Sequence, residues 1–267
     1  MELELFPLID DMRHVTIRCH HRYEGRKEQG MYHFRSRVRF SETDVDKKLS
    51  ITGLMNYLQD CSIFQSEDLN AGFSYLEKVK KAWLLSAWNV EVIRRPDVAE
   101  EITICTWPYD FKGIYGLRNF GIQDKDGNYL VKADSCWFLT SIDTGRPVKP
   151  AEEDIAFYLP VEPRMEMEEL PRKIALPTEM KEVGRLSVMK HHLDVNRHVN
   201  NVQYVNIACE VLPEQCEIRG IRAEYKKAAV LGDIIVLKCA AEEEKYLVSL
   251  CGEDGSIFAN VELRTII

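Results

Sequence analysis

Three side chains that can handle a proton or an oxyanion lie within five residues, directly before a predicted helix. They are Asp194, Asn196 and His198. A histidine changes charge near neutral pH and can act as a general base, while a carboxylate can orient its ring or accept the proton itself. An amide N–H can donate to a developing oxyanion, as can the first N–H groups of the helix after Asn200 and Asn201. The segment can therefore activate water and stabilise negative charge.

An earlier segment of the chain has the same pattern without the histidine. Residues 44–49 align with residues 194–199, 150 positions later, and Lys48 stands where the second copy has His198. Asp, Asn and His before a helix often serve only as caps. A capping role alone does not explain why the second copy has His198 where the first has Lys48. The Lys48 side chain would be a poor base unless it were desolvated. We interpret the first copy as a degenerate site, although a role for its Asp44 or Asp46 carboxylate stays open.

Composition and residue spacing argue against several classes of protein and of functional site. The chain has 267 residues, 45% hydrophobic and 29% charged, and its net charge of −8 argues against a nucleic-acid binder. Its eight cysteines form no C-x-x-C pair and lie mostly in apolar stretches, which favours reduced thiols in a cytoplasmic protein. The N-terminus lacks the features of a signal peptide, and no run is apolar enough for a membrane span. His191 and His192 fit no familiar ligand spacing, so we expect no metal and no organic cofactor.

Hydrophobic periodicity predicts one fold unit used twice. Each unit reads as a strand, an amphipathic helix and an antiparallel meander. The first helix has its apolar positions between residues 54 and 64, with Ser50 or Thr52 as its cap. The second helix runs from about 201 to 212. Strands are predicted at 32–40, 83–93, 101–109, 115–123 and 129–141, then at 186–189, 221–227, 234–240, 246–251 and 257–266.

This repeat predicts an α+β protein with a tandem (double) hot-dog fold, in which each unit is an antiparallel sheet wrapped around a central helix. Residues 31–150 form the N-terminal hot dog and 184–267 the C-terminal one. Residues 151–183 are rich in proline and break both periods, so they form a linker. Residues 1–30 are weakly periodic and are interpreted as an N-terminal extension.

Several motifs, in the same order, resemble those of the acyl-acyl carrier protein (acyl-ACP) thioesterases. They are residues 194–204, 54–59, 133–137 with 143–146, and 224–227, and the resemblance covers about residues 31–267. It implies a hydrolase that cleaves the thioester between a fatty acyl chain and the phosphopantetheine arm of acyl carrier protein, ending fatty acid synthesis. It also implies that the N-terminal hot dog binds the acyl chain and that Asp194, Asn196 and His198 are catalytic.

One position departs from that family. Plant members have a glutamate and then a cysteine after the Glu-Tyr-basic-basic segment, and both are candidates for catalysis, whereas this chain has Ala228 and Ala229. A cysteine nucleophile is therefore missing at this position, and so is one candidate for activating water. Glu224 lies four residues earlier in a strand, where pairing with a lysine is the simpler interpretation. Cys209 is interpreted as a packing thiol of the second helix.

If the protein acts on acyl-ACP, the sequence also suggests which residues meet the substrate and the carrier. We expect the substrate to contact seven residues: Asn200, Asn201, Leu54, Met55, Leu58, Trp88 and Trp137. Acidic acyl carrier protein would meet basic side chains chosen from Arg35, Arg37, Arg39, Lys78, Lys80, Lys81, Arg94, Arg95, Lys226 and Lys227.

The alternatives are an acyl-CoA thioesterase, a non-catalytic acyl-binding protein, as the two alanines suggest, and a hot-dog dehydratase. The sequence leaves acyl chain length open. The two hot dogs could form an internal pseudo-dimer or pair further as a homodimer.

Overall fold

The computed structural model of the protein describes residues 30–242 and 244–266. The predicted N-terminal extension, residues 1–30, lies outside this part of the chain apart from Gly30. The strands are β1 (Tyr32–Arg37), β2 (Lys81–Val92), β3 (Glu101–Lys112), β4 (Tyr115–Gln123), β5 (Tyr129–Ser141), β6 (Lys181–Ser187), β7 (Glu217–Tyr225), β8 (Ile234–Glu242), β9 (Lys245–Cys251) and β10 (Ile257–Ile266). The helices are α1 (Ile51–Asp68), α2 (Phe73–Lys78), α3 (Glu152–Ala156) and α4 (Asn201–Cys209).

All ten strands form one antiparallel sheet in the order β1-β3-β4-β5-β2-β7-β10-β9-β8-β6. Read outward from the middle, the two five-stranded halves have the same order of strands, which confirms the predicted repeat. The halves are hydrogen-bonded to each other along β2 and β7, from Ala87 opposite Glu224 to Glu91 opposite Gly220. This pairing was not predicted, and it leaves neither inner strand with an unpaired edge.

Helices α1 and α4 begin where the sequence predicts. The Ser50 hydroxyl accepts a hydrogen bond from the Gly53 N–H at 3.0 Å. The Asn200 side chain accepts from the Val202 N–H at 2.9 Å. Helix α4 ends at Cys209, three residues before the predicted end, and a turn follows in which the Leu212 N–H donates to the Cys209 carbonyl at 3.0 Å.

The two helices lie on the same side of the sheet and contact each other, with the Thr52 hydroxyl 2.7 Å from the Asn206 side-chain oxygen.

The linker crosses the opposite face of the sheet. The Trp107 indole N–H on β3 donates to the Pro163 carbonyl at 2.9 Å, and the Met165 N–H donates to the Asn119 side chain on β4 at 2.8 Å. Further along, an Arg222 N–H on β7 donates to the Pro171 carbonyl at 2.6 Å. From Pro163 onward the linker therefore joins the two halves across this face, whereas Tyr158, near its start, contacts Ser66 of α1 on the helix side.

The first predicted strand is shorter in the structure. Alternation in the sequence extends to Phe40, yet β1 ends at Arg37 and Phe40 is 87% exposed in a turn of 3₁₀ helix. Glu42 stabilises this turn by accepting from the Arg39 N–H at 3.0 Å.

Within the described residues, no helix has the length and apolar character to cross a bilayer. The seven cysteines in this part of the chain are unpaired thiols.

Candidate active site

The loop before α4 is held in a closed turn by Asp194. The Asp194 N–H donates to the His198 carbonyl at 2.8 Å. One carboxylate oxygen, Oδ1, accepts from the Asn196 and His198 N–H groups at 2.8 and 3.2 Å. Arg197 has a φ of 61°, in the left-handed region that this turn requires. Oδ1 of Asp194 thus holds the loop in shape, while Oδ2 accepts no hydrogen bond from the described residues.

Two further contacts fix this loop against the rest of the C-terminal half. The Val199 N–H donates to the Ala229 carbonyl, and the Asn200 N–H donates to the His192 carbonyl, both at 2.9 Å. His192 itself accepts from the Met189 N–H through Nδ1 at 3.1 Å. Burial lowers the pKa of His192, and the neighbouring His191 lowers it further. Through these hydrogen bonds, His192 helps to hold the loop in place.

A cavity of about 580 Å³ brings the predicted polar residues together. Asp194, Asn196, His198, Asn200 and Asn201 all line it. Asp194 is half-buried, whereas the side chains of Asn196 and His198 are exposed. The same cavity continues into the N-terminal half, where its lining includes Trp83, Leu85, Phe111 and Trp137, together with Tyr158 of the linker. The polar loop of one half thus opens onto an aromatic pocket of the other.

Helix α1 contributes to this cavity through a different face from the one that the sequence suggests. Leu54, Met55, Leu58 and Trp88 are at most 2% exposed, lie in the core and are not part of the cavity lining. The helix instead presents Gln59, Asp60, Ser62, Ile63 and Ser66 to the cavity. Trp137 is the apolar residue of the prediction that does line it.

Two tyrosines form a wall beside the loop. The Tyr204 hydroxyl accepts from the Ala229 N–H at 2.8 Å, and the Tyr225 hydroxyl donates to the Asn201 carbonyl at 3.0 Å. Burial raises the pKa of Tyr204 to about 12 and that of Tyr225 further, so both phenols stay neutral. Sequence reasoning missed their role, although both lie inside the motifs that carry the family resemblance.

The first copy of the loop shows how such a site can be closed. Its Asp44 carboxylate likewise accepts from the Asp46 N–H at 3.0 Å, and Lys47 has the same φ of 61° as Arg197. Here, however, Arg95 forms an ion pair with Asp44 and has its Nη2 3.8 Å from a carboxylate oxygen of Asp46.

The backbone register identifies the counterpart of that arginine. The Leu49 N–H donates to the Pro96 carbonyl, as the Val199 N–H does to the Ala229 carbonyl. Arg95 therefore corresponds to Ala228, which lines the cavity. The small side chain of Ala228 leaves the Asp194 carboxylate uncovered, whereas Arg95 covers the Asp44 carboxylate. Loop shape and helix capping are common to both copies, so they do not account for this difference.

Glu224 and Cys209 have structural surroundings. Glu224 is 3% exposed, accepts from the Ile174 N–H at 3.3 Å and pairs with the Lys226 ammonium at 3.2 Å, which confirms the predicted pairing with a lysine. Burial raises the pKa of the Cys209 thiol to about 12. Among the described residues, no group of three or more His, Cys, Asp or Glu side chains could hold a metal ion.

Five of the ten basic residues considered for carrier binding form ion pairs with carboxylates of the described residues: Arg39, Lys81, Arg94, Arg95 and Lys226. Lys226 and Lys227 line the cavity on the side of the loop. The Lys227 ammonium lies 5.7 Å from the Phe258 ring centroid and 3.4 Å from the Ser256 hydroxyl.

Comparison with known proteins gives two matching family models. The Acyl-ACP thioesterase N-terminal domain matches residues 29–158, and the Acyl-ACP thioesterase C-terminal domain matches residues 176–260. The chain is 25% identical over 244 residues to an oleoyl-acyl carrier protein thioesterase of Arabidopsis thaliana, covering 82% of this chain and 65% of the relative. It is 28% identical over 207 residues to an acyl-[acyl-carrier-protein] hydrolase of Cuphea viscosissima, covering 71% and 50%. The matches thus span half to about two thirds of these relatives.

Solved structures show the same fold. A 12:0-ACP thioesterase from Umbellularia californica superimposes with a TM-score of 0.78 at 19% identity, covering 88% of this chain and 97% of that one. An acyl-ACP thioesterase from Bacteroides thetaiotaomicron gives a TM-score of 0.76 at 20% identity, covering 88% and 98%. The predicted tandem hot-dog fold is confirmed.

Proposed function

Since this chain belongs to the acyl-ACP thioesterase family, we propose that it hydrolyses a fatty acyl thioester of acyl carrier protein to a free fatty acid and the holo carrier. One observation carries the proposal: a single cavity joins the aromatic pocket of the N-terminal half to the polar loop of the C-terminal half. A fatty acyl chain fits the first part, and a reacting thioester fits the second.

In the proposed reaction, His198 removes a proton from water as the water oxygen attacks the thioester carbonyl carbon. The tetrahedral oxyanion accepts hydrogen bonds from the Asn196 amide and from the N-terminus of α4, where Asn201 is the first residue. The carbon–sulfur bond then breaks, and the sulfur leaves with the proton from His198 as the phosphopantetheine thiol. Asp194 Oδ2 stabilises the imidazolium or the water.

The space beside Ala228 has a role in this proposal. In the first copy the corresponding place is filled by Arg95, and its carboxylate is neutralised. We place the attacking water and the thioester carbonyl in the open space of the second copy. Asp194 is then the carboxylate that serves the reaction, in a site without the glutamate of the plant enzymes.

The partner in this proposal is an acidic carrier. Lys226 and Lys227 lie on the loop side of the cavity, where a phosphopantetheine phosphate and the carrier surface would approach. The unpaired thiols of the described residues support a reducing, cytoplasmic location.

Thiol release from matched acyl-ACP and acyl-CoA substrates tests the proposal. The wild type should favour the carrier-protein substrate, and His198→Ala should lose on the order of 100-fold or more in turnover. Lys48→Ala, the same change in the first copy, is the matched control and should keep turnover within about twofold.

Equal rates on both carriers would identify an acyl-CoA thioesterase instead. Saturable acyl binding without any thiol release would identify a binding protein.

A further inference from the structure

Arg118 on β4 is a buried cation without a carboxylate partner. The residue is 9% exposed, lines the cavity, and forms no ion pair with a carboxylate of the described residues. Its Nη1 donates to the side-chain oxygens of Gln65 and Thr106, the latter at 3.1 Å. Both acceptors are neutral. Nε and Nη2 have no acceptor among the described residues, which leaves three of five N–H donors free.

A second buried arginine of this protein has its charge compensated by a carboxylate. Arg222 is 8% exposed, and its Nη1 pairs with the Glu262 carboxylate at 2.8 Å. Its Nη2 donates to the Pro171 carbonyl at 2.6 Å. Burial of an unpaired charge is costly, and an arginine stays protonated at neutral pH. The free donors of Arg118 therefore fit an acceptor that a ligand brings.

The surroundings of Arg118 are polar, unlike the middle of the cavity. Its guanidinium carbon lies 5.4 Å from the Tyr158 ring centroid, and the Tyr158 hydroxyl lies 3.0 Å from the Ser66 hydroxyl. Next to Tyr158 comes Phe111, at 6.4 Å between ring centroids, and then Trp83, at 6.3 Å. All five line the cavity. Its aromatic wall therefore ends at a polar cluster.

Strand register gives the distance across the sheet from Arg118 to β7, whose last residue, Tyr225, contacts the start of α4. Arg118 lies opposite Ser135, Ser135 opposite Trp88, and Trp88 opposite Ala223, which is two residues before Tyr225. Three strand spacings of about 4.8 Å correspond to roughly 14 Å. A saturated chain advances about 1.25 Å per bond, given a bond of about 1.52 Å and an angle of about 111°. The span across the sheet from Arg118 to the strand that carries Tyr225 thus corresponds to on the order of ten carbons.

We propose that Arg118 makes this protein selective for acyl chains that carry an oxygen acceptor, a carboxylate or a hydroxyl group, at the end of about ten carbons. The inference rests on the proposed function, because it assumes that the cavity holds an acyl thioester. A hydrocarbon end would cover the guanidinium without replacing its hydrogen bonds, whereas a carboxylate end accepts two of them in a bidentate pair.

The test compares carrier-protein thioesters of equal length with three different ends: decanoyl, 10-hydroxydecanoyl and 9-carboxynonanoyl. We expect the wild type to have a kcat/KM roughly tenfold or more higher for 9-carboxynonanoyl than for decanoyl, with the hydroxyl substrate between them. Arg118→Met should reverse the preference, and Arg118→Lys should restore part of it. Thermal unfolding of each variant shows that it is folded.

A binding measurement separates this inference from the proposed hydrolysis. Pantetheine amides of the same acyl groups, with nitrogen replacing the thioester sulfur, are bound without being cleaved. Tighter binding of the carboxylated amide, abolished in Arg118→Met, would support the role of Arg118 even if no thioester were hydrolysed. Hydrolysis of decanoyl-ACP at least as fast as of the oxygenated substrates, unchanged in Arg118→Met, would overturn it.

Discussion

Ala228→Arg should close the candidate site in the way that Arg95 closes the first copy. The two loops have equivalent backbone hydrogen bonds. The new guanidinium would therefore reach Asp194 as Arg95 reaches Asp44. In that pair the side chains of Arg95 and Asp44 are only 13% and 29% exposed. Solvent therefore screens the attraction only in part.

The expected loss of activity follows from the strength of this pair. Two charges about 4 Å apart attract by about 4 kcal/mol at an effective dielectric constant of about 20. Desolvation and lost side-chain entropy remove about half of that attraction. A net of about 2 kcal/mol lowers the fraction of free Asp194 roughly 30-fold. We expect kcat/KM on acyl-ACP to fall by about that factor, with the melting temperature unchanged or slightly raised.

Steady-state thiol release and thermal unfolding measure both effects. Ala228→Met is the matched control, because it fills similar space without a charge and should lose less activity than the arginine variant. Wild-type kcat/KM in Ala228→Arg would refute the assignment of Asp194 and the correspondence between Ala228 and Arg95. Equal losses in both variants would show that filled space, rather than charge, closes the site.

Two further substitutions test the surroundings of the loop. Tyr204→Phe removes the acceptor of the buried Ala229 N–H, so the free energy of unfolding should fall by about 1–2 kcal/mol in a denaturant titration. Because Ala229 also holds Val199, kcat should fall as well, and an unchanged unfolding midpoint would contradict this account. Cys209→Ala should leave kcat unchanged, since a thiol with a pKa of about 12 supplies almost no thiolate at neutral pH. In the wild type, peptide mapping after brief alkylation at pH 8 should find Cys209 unmodified, and rapid modification would contradict the raised pKa of its thiol.

The sequence predicts the local elements of this fold well. Strands β4, β5 and β10 begin and end at the predicted residues. The reason is local: alternation defines their faces, and turns such as the one at Gly127, with a φ of 85°, end them. Ser50 caps α1 because its hydroxyl replaces a missing helical hydrogen bond.

The pairing of β2 with β7 could not be predicted in the same way. Periodicity indicates which face of a strand is buried, but it does not identify the neighbouring strand. Both β2 and β7 read simply as buried strands, and a long linker separates them in the sequence. Their pairing depends on contacts between residues more than 100 positions apart, such as Trp88 and Ala223.

The residues of α1 show why the candidate site was only partly predicted. Apolar spacing identified Leu54, Met55 and Leu58, which are buried, but it could not distinguish a packed core from the wall of a pocket. The cavity is lined instead by polar positions of the helix, such as Ser62 and Ser66, which in sequence resemble a solvated face. The polar loop was predicted because the two copies could be compared. The comparison distinguishes residues that both loops need for their shape from His198, which only the second loop has.

The pairing of β2 with β7 inside one chain also removes a constraint that identical subunits face. In a symmetric dimer of single units, any residue beside one loop is present beside the other, so both sites are open or both are closed. Here the two loops belong to one polypeptide, and each has its own neighbour: Arg95 beside Asp44, and Ala228 beside Asp194. The polar loop of one half can therefore be closed by an ion pair while that of the other half stays open. Under the proposed function, this arrangement gives one acyl chain and one reacting centre per polypeptide.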